Sequence, residues 1–421
     1  MRILISAGEA SGDLYASRLV EILRQRNPEV EFFGCAGPRM RAAGVEQIVD
    51  QESLAVAGIV EVIAHIPRIW REFKKLERAA AERKPDLAIL TDSPDFHLRL
   101  AKKLRRLGIP VLYLIAPQVW AWREHRVRAM RRDLAGLLCI FPFEEPYFRK
   151  HGVPATYIGH PLARLVKPTL SRAELCAELG IAEDARILAL LPGSRSGEIA
   201  RHTGPVLEAV SLIQEKHPDL TPVFAVPKGA ARTVRAALEN FGKPNAAGHI
   251  QTLGAAKPEP GNTSAESARP PETKRAEVRI IEGHTWDVMA QAEVALAASG
   301  TVTMEAAMLR LPMVTFYRVN ALSWYLGRWM VKAPFLAMVN LVAGRRVVAE
   351  LIQHEMTPQM MAIEVLRLMD DAGSRAAMRQ ELDRVAGMLA SEIDPMERAA
   401  DAVTSALSGA PAATTEKTPA E

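Results

Sequence analysis

The first loop of the sequence carries two carboxylates where a phosphate-binding loop would carry none. The strand-like stretch RILISA runs into GEASGD, residues Gly8 to Asp13, and a helix is expected to start near Leu14. Loops of this build aim amides at an anion from a helix N-terminus. Glu9 and Asp13 would repel a phosphate, and the glycines are spaced G-x-x-x-G, not G-x-G-x-x-G. Acceptor groups such as Glu9 and Asp13 suit the hydroxyls of a sugar, and Ser11 between them joins the same expected substrate set. A third carboxylate closes the strand in DLAILTDSPDFHL, where Thr91-Asp92 ends the apolar run and Pro94 sits where a helix should begin. Asp92 with Asp95 reads equally well as a helix-capping pair or as a base at a strand end that takes a proton from a hydroxyl.

Anion chemistry is carried elsewhere. In LALLPGSRSGEI a strand enters Pro192, Gly193, Ser194 and Arg195, which combine flexible backbone, a hydroxyl and a planar guanidinium suited to phosphate. The Walker lysine is missing, which argues against ATP hydrolysis. In LAASGTVTMEAAM, Ser299, Gly300 and Thr301 form a strand-to-helix junction, and Glu305 one turn later can accept both hydroxyls of a ribose. Taken singly, these read also as a turn with a solvent-facing arginine and as a capped helix with a solvated acid. Together, at strand ends of one α/β unit, they point to a nucleotide diphosphate.

The elements that must hold these residues follow from periodicity. Short buried strands (RILIS, VEFFGCAG, LAIL, VLYLIA, GLLCIF) alternate with amphipathic segments such as 14–26 and 95–107, which implies a parallel sheet with right-handed crossovers. The pattern restarts after a linker near 160–168 and a helix around 171–179, with RILALLPG, TPVFAVP, VRIIEG, VALAAS and PMVTFY. The expected fold class is α/β, two doubly wound Rossmann-like domains facing a cleft. The boundaries are 1–165 for a first domain, 166–345 for a second, nucleotide-binding domain and 346–407 for C-terminal helices. Residues 255–276, rich in Pro, Ser, Glu and Ala, are expected to be a disordered insertion, and 408–421 a disordered tail.

Composition narrows the class. With 421 residues, 48% hydrophobic and 24% charged, and a net charge of +4, the chain reads as an ordinary globular protein whose basic surfaces arise by local clustering. Three scattered cysteines, Cys35, Cys139 and Cys176, fit a reducing compartment, and no apolar leader or membrane-spanning run is visible. The spacing of His, Cys and acidic residues matches no metal motif, so no metal or other cofactor is expected. The run PQVWAWREHRVRAMRR, with Arg123, Arg126, Arg128, Arg131 and Arg132, fits nucleic acid, anionic lipid, a phosphorylated substrate or a solvated helix face. His160 reads equally as a hinge residue or a catalytic one. The segments 54–75 and 318–335 mix Trp, Phe and cations in a way that suits either membrane docking or core helices with basic ends.

Beyond this residue-level reading, GEASGD, GPRMRAAG, LAVAGIVEVI, TDSPDF, PQVWAWR, FPFEEPYF, IGHPL, LLPGSR, ASGTVTMEAA and NLVAGRR stand in the order and spacing of the lipid-A-disaccharide synthase family. The chain resembles that family from about residue 3 to about residue 400. The resemblance implies a GT-B fold, with C-terminal helices crossing back to the first domain, and an inverting glycosyltransferase. It further implies UDP-2,3-diacylglucosamine as donor, 2,3-diacylglucosamine 1-phosphate as acceptor, and a β-1,6-linked disaccharide 1-phosphate plus UDP as products. By the same resemblance Asp92 is the general base, Arg195 and Glu305 serve the UDP site, and Asn340 with Arg345 beside it serves the donor. The sequence departs from the family at Val339, where proline is common, and at Arg346, where an acid is common. The implied setting is cytoplasmic, on the anionic inner face of the cytoplasmic membrane, with no nucleic acid partner and a homodimer as an allowed assembly.

Overall fold

The computed structural model describes residues 1–54, 59–240, 278–319 and 334–408. The proposed 255–276 insertion, nearly all of the tail and most of the 318–335 segment lie outside the described residues.

Parallel strands covered on both faces read as near-continuous apolar runs. β1 (Arg2–Ala7), β4 (Leu87–Thr91), β8 (Arg186–Leu191) and β11 (Val294–Ala298) meet this condition, with interiors wholly buried. They sit at the middle of two sheets. The first sheet adds β2 (Glu31–Ala36), β3 (Glu46–Asp50), β5 (Val111–Leu114), β6 (Gly136–Cys139) and β7 (Ala155–Tyr157) in the order β3-β2-β1-β4-β5-β6-β7. The second adds β9 (Leu220–Val226), β10 (Arg279–Glu282), β12 (Met313–Tyr317) and β13 (Ala349–Ile352) in the order β10-β9-β8-β11-β12-β13. Every strand pair is parallel.

This order fixes where ligands can go. Strand order reverses between β1 and β4 in one sheet and between β8 and β11 in the other, and open α/β sheets bind ligands at such reversals, beyond the C-terminal strand ends. The loops after these four strands carry GEASGD, TDSPDF, PGSR and SGT.

The chain divides into two compact units, one built from Met1–Leu165 with the residues from Gly387 onward, the other from Val166–Val319 with Pro334–Ala386. The last helix, Pro395–Leu407, thus returns to the first unit and packs on helix Ala10–Arg26, where Arg26 reaches Asp401 at 2.7 Å.

Two expectations are corrected. Residues 346–407 are not all helical, because 349–352 form β13 on the edge of the second sheet; a four-residue strand with a glutamate at its second position carries too little periodicity to be read locally. The first helix starts at Ala10, not near Leu14, so Ser11, Gly12 and Asp13 belong to its first turn.

Candidate active site

In the first unit the glycine loop holds a carboxylate from the neighbouring strand. Ala7 pairs with Thr91 in the sheet, which brings Gly8 and Glu9 opposite Asp92. The amide of Gly8 donates to Asp92 Oδ1 at 2.7 Å and the amide of Glu9 to Oδ2 at 3.0 Å. Room for that carboxylate depends on glycine. A Cβ on Gly12 would stand 1.8 Å from Asp92 Oδ2, and one on Gly8 would stand 2.8 Å from Oδ1. Burial, and then the charge of Glu9, push the Asp92 carboxyl well above the usual carboxylate range, against the two amides that favour its charged form. Its side chain retains 14% of its exposure, so it still meets solvent.

The backbone around Asp92 is unusual. Asp92 and Ser93 both lie in the left-handed region, at φ 54° and 37°, where residues with a Cβ are strained. What holds them is a buried polar set on the flanking elements. His97 on helix Pro94–Arg106 is fully buried and donates from Nδ1 to the Asp92 carbonyl at 2.9 Å. A carbonyl only accepts, so Nδ1 carries the proton and Nε2 accepts from Ser6 Oγ at 2.7 Å. Burial lowers the His97 pKa to about 4, which keeps the ring neutral, so its approach to the Asp92 carboxylate is not an ion pair. Tyr113 on β5 donates its hydroxyl to the same carbonyl. Sequence reasoning missed Ser6, His97 and Tyr113, whose types are unremarkable until the sheet brings them together.

Asp13 has a different task from the one expected. Its side chain is buried and accepts the amides of Gly37 (2.9 Å), Arg39 (2.9 Å) and Met40 (3.1 Å), capping the short helix Pro38–Ala42. With both oxygens used inside the fold, it is not presented to a sugar. Glu9 and Ser11 are part exposed beside the Asp92 loop.

The loop after β8 is organised by its own helix. Glu198, in the first turn of helix Ser196–Lys216, is buried and takes the amides of Ser194 (3.3 Å) and Arg195 (3.4 Å) on Oε2. Its Oε1 accepts from the Arg195 guanidinium at 3.0 Å and from the Tyr317 hydroxyl at 3.0 Å. Gly193 makes this fit, since at φ 124° a Cβ there would be strained and would stand 2.7 Å from Glu198 Oε2. Fully buried His202 donates from Nδ1 to the Pro192 carbonyl at 2.7 Å, and its Nε2 accepts from the Arg318 amide at 3.3 Å. Burial lowers its pKa as well.

Just past the end of β11, Ser299 is part exposed while Gly300 and Thr301 are exposed. Helix Thr301–Met308 starts with no side-chain cap, and nothing stands within 4 Å of a Cβ built on Gly300. Part-exposed Glu305 accepts from Trp286 Nε1 at 2.9 Å, which ties its carboxylate to helix Thr285–Gln291. Ser299 Oγ donates to the Leu336 carbonyl at 3.3 Å, tying the junction to the segment that precedes Asn340.

Asn340 is fully buried and spends its whole amide on the chain. Its Oδ1 accepts the amides of Val347 (2.7 Å) and Val348 (2.9 Å), while Nδ2 donates to the Val348 carbonyl (3.0 Å) and Glu350 Oε1 (2.8 Å). These bonds deliver the chain into β13, so Asn340 shapes the loop rather than facing a ligand. Arg345 is exposed and pairs with Glu381.

Comparison with known proteins decides what these loops belong to. Residues 3–243 and 262–402 match the family described as Lipid-A-disaccharide synthetase. The lipid-A-disaccharide synthase of Solibacter usitatus is 50% identical over 408 residues, which cover 97% of this chain and 98% of that protein. That of Myxococcus xanthus is 40% identical over 403 residues, 96% of each chain. The chain belongs to this family. It is accordingly a glycosyltransferase of lipid A disaccharide formation, with a UDP-sugar donor and a sugar phosphate acceptor. Solved structures show the fold in common. A putative UDP-N-acetylglucosamine 2-epimerase from Listeria monocytogenes aligns at TM-score 0.60 with 14% identity over 99% of both chains. The S. aureus MnaA–UDP structure aligns at 0.63 with 12% identity over 99% of this chain and 98% of that one. The architecture is GT-B, as the sequence implied.

Proposed function

We propose that the chain condenses UDP-2,3-diacylglucosamine with 2,3-diacylglucosamine 1-phosphate by direct displacement, with inversion at the donor's anomeric carbon. Asp92 takes the proton of the acceptor 6-hydroxyl as that oxygen attacks the face opposite UDP, through a transition state of oxocarbenium character. The observation that carries this reading is the seating of Asp92 on two amides beside the charge of Glu9, with a pKa raised by burial: a carboxylate made more basic at a strand end, yet still open to solvent. Glu9 and Ser11 flank the acceptor sugar. Arg195, Gly193, Ser194 and the uncapped helix start at Ser299, Gly300 and Thr301 receive the growing charge on UDP, and Glu305 accepts from the ribose. Charge moves from hydroxyl to pyrophosphate without a covalent enzyme intermediate.

Acylated substrates require an apolar surface near the site. Helix Ile59–Arg83 exposes Ile66 and Trp70 among Arg68, Arg71 and Lys74, a combination that suits the anionic inner leaflet. Among the described residues no helix is long and apolar enough to cross a membrane.

Incubation of the chain with labelled donor and acceptor tests the reading. UDP should appear only when both substrates are present, and NMR of the product should show a β-1,6 linkage. Release of UDP without acceptor, or an α-linked product, would overturn it. A Trp70→Glu, Ile66→Glu variant should lose sedimentation with anionic vesicles; undiminished pelleting would exclude this helix as the docking face.

A further inference from the structure

The basic run after PQVWAW is absorbed by neither the base nor the UDP loop, and the structure places part of it around a cavity. Arg123 and Arg126 turn to Asp95. Arg128 and Arg131, on helix Val127–Asp133, turn instead to the end of helix Glu144–Lys150, with Arg149 and Lys150 in its last turn and His151 and Gly152 just beyond. Between them lies a cavity of about 760 Å³, large enough for a phosphorylated organic molecule and not merely a bare anion.

Its lining is predominantly cationic, with Glu124 as the one acid among the arginines and the lysine. Arg149 is neutralised by Glu145 at 2.6 Å, and Glu124 stands 3.8 Å from His151. Arg128, Arg131 and Lys150 are exposed and make no ion pair among the described residues. A concave surface with uncompensated cations of one sign concentrates field lines and raises the local concentration of anions. Gly152, at φ 75°, lets the backbone pass close to Arg131, where a Cβ would lie 3.1 Å from its Nε. Guanidinium forks and an ammonium are the side chains that recognise phosphoryl oxygens.

The position separates this cavity from the transfer site. Asp92 follows the C-terminal end of β4, whereas Arg149, Lys150 and Gly152 close the helix that leads into the N-terminal end of β7, the opposite edge of the same parallel sheet. We propose that Arg128, Arg131 and Lys150 form a second anion site that binds a phosphoryl group, carried either by a soluble phosphate ester or by a phospholipid headgroup. The site serves retention or regulation and takes no part in the displacement.

Titration calorimetry with inorganic pyrophosphate tests this, on the full chain held at saturating UDP so that the donor loop is filled. Wild type should bind about one pyrophosphate per chain. An Arg128→Glu, Lys150→Glu variant should lose at least tenfold in that affinity while its UDP isotherm and its turnover in detergent stay unchanged. Arg105→Glu, Arg106→Glu, an equal charge change on exposed residues of helix Pro94–Arg106, should retain pyrophosphate binding. Competition by phosphatidylglycerol vesicles for the same site assigns the headgroup as the source, and its absence assigns a soluble ester. No binding by wild type, equal binding by the Arg128/Lys150 variant, or equal loss in the Arg105/Arg106 control would each overturn the site. None of these results bears on disaccharide formation, so this proposal and the transferase reading fail separately.

Discussion

The two units use one device twice and to different ends. Each sends a glycine loop from its first central strand, and each loop offers two adjacent amides to a carboxylate. Each also holds a strand-end carbonyl with a buried neutral histidine, His97 on Asp92 and His202 on Pro192. The difference is the source of the carboxylate. In the first unit it comes from more than 80 positions away, on the neighbouring strand, and the loop exists to seat it. In the second it comes from Glu198, three residues past Arg195, where it closes a helix start. A long-range carboxylate pinned by tertiary structure is a fixed chemical group. A local one closes the start of its own helix, on the amides of the loop proposed for the diphosphate.

Apart from loss of the proposed base itself, the largest expected effect separates the two loops by their glycines. Gly12→Ala should lower kcat by about 10²-fold, because a Cβ 1.8 Å from Oδ2 must displace Asp92 and misplacement of about 1 Å has that cost. Gly197→Ala, in the matching turn of the second unit, has nothing within 4 Å and should stay within about 0.5 kcal/mol of wild-type stability, with normal turnover. Comparable losses in both would erase the distinction. Next comes Arg195→Ala, which removes a charged donor worth about 1.5–3 kcal/mol and so should weaken UDP about 10- to 100-fold by calorimetry; unchanged affinity removes Arg195 from the donor site.

A smaller effect is expected at His97. Without the Nδ1 donor, His97→Phe leaves the Asp92 carbonyl with Tyr113 alone, at a cost of about 1–3 kcal/mol in unfolding free energy, and kcat should fall with little change in KM. Asn, whose amide can occupy the Nδ1 position, should restore most of kcat; if Asn and Phe behave alike, the histidine is only packing. The smallest effect is a shift in pH dependence. As the proposed base, Asp92 would have to be ionised to act, so activity should fall as pH drops through its raised pKa, and Glu9→Gln, by removing a repelling charge, should move that acid limb to lower pH. The same raised pKa means that ionising Asp92 opposes folding as pH rises through the folded value, so Glu9→Gln should also gain stability at neutral pH. An acid limb that moves up or stays in place would contradict the coupling.

Much of this was legible in the sequence because the central strands are continuous apolar runs and the loops after them carry glycines. Strands β3, β7 and β13 were not. They are edges of three to five residues whose burial and hydrogen bonds come from a neighbour rather than from their own pattern. Among the site residues, the glycine loop and Asp92 could each be picked out singly, but their bond depends on register across β1 and β4, which no local spacing encodes. For the same reason Asp13 reads as a ligand group, and the family resemblance assigns Asn340 to the donor. An acid near a glycine loop, or an amide near an arginine, looks alike whether it faces a substrate or caps a backbone turn, and only the partners at Gly37 to Met40 and at Val347 to Glu350 tell them apart. Glu198, by contrast, stands at capping-box spacing from Arg195, a signal the sequence did contain.

The most direct test is single-turnover disaccharide formation by Asp92→Asn at saturating donor and acceptor, with UDP affinity measured on the same preparation. The account predicts a rate lower by about 10²- to 10⁴-fold, the usual worth of a general base, and unaltered UDP binding. A rate near that of wild type would remove Asp92 from the chemistry.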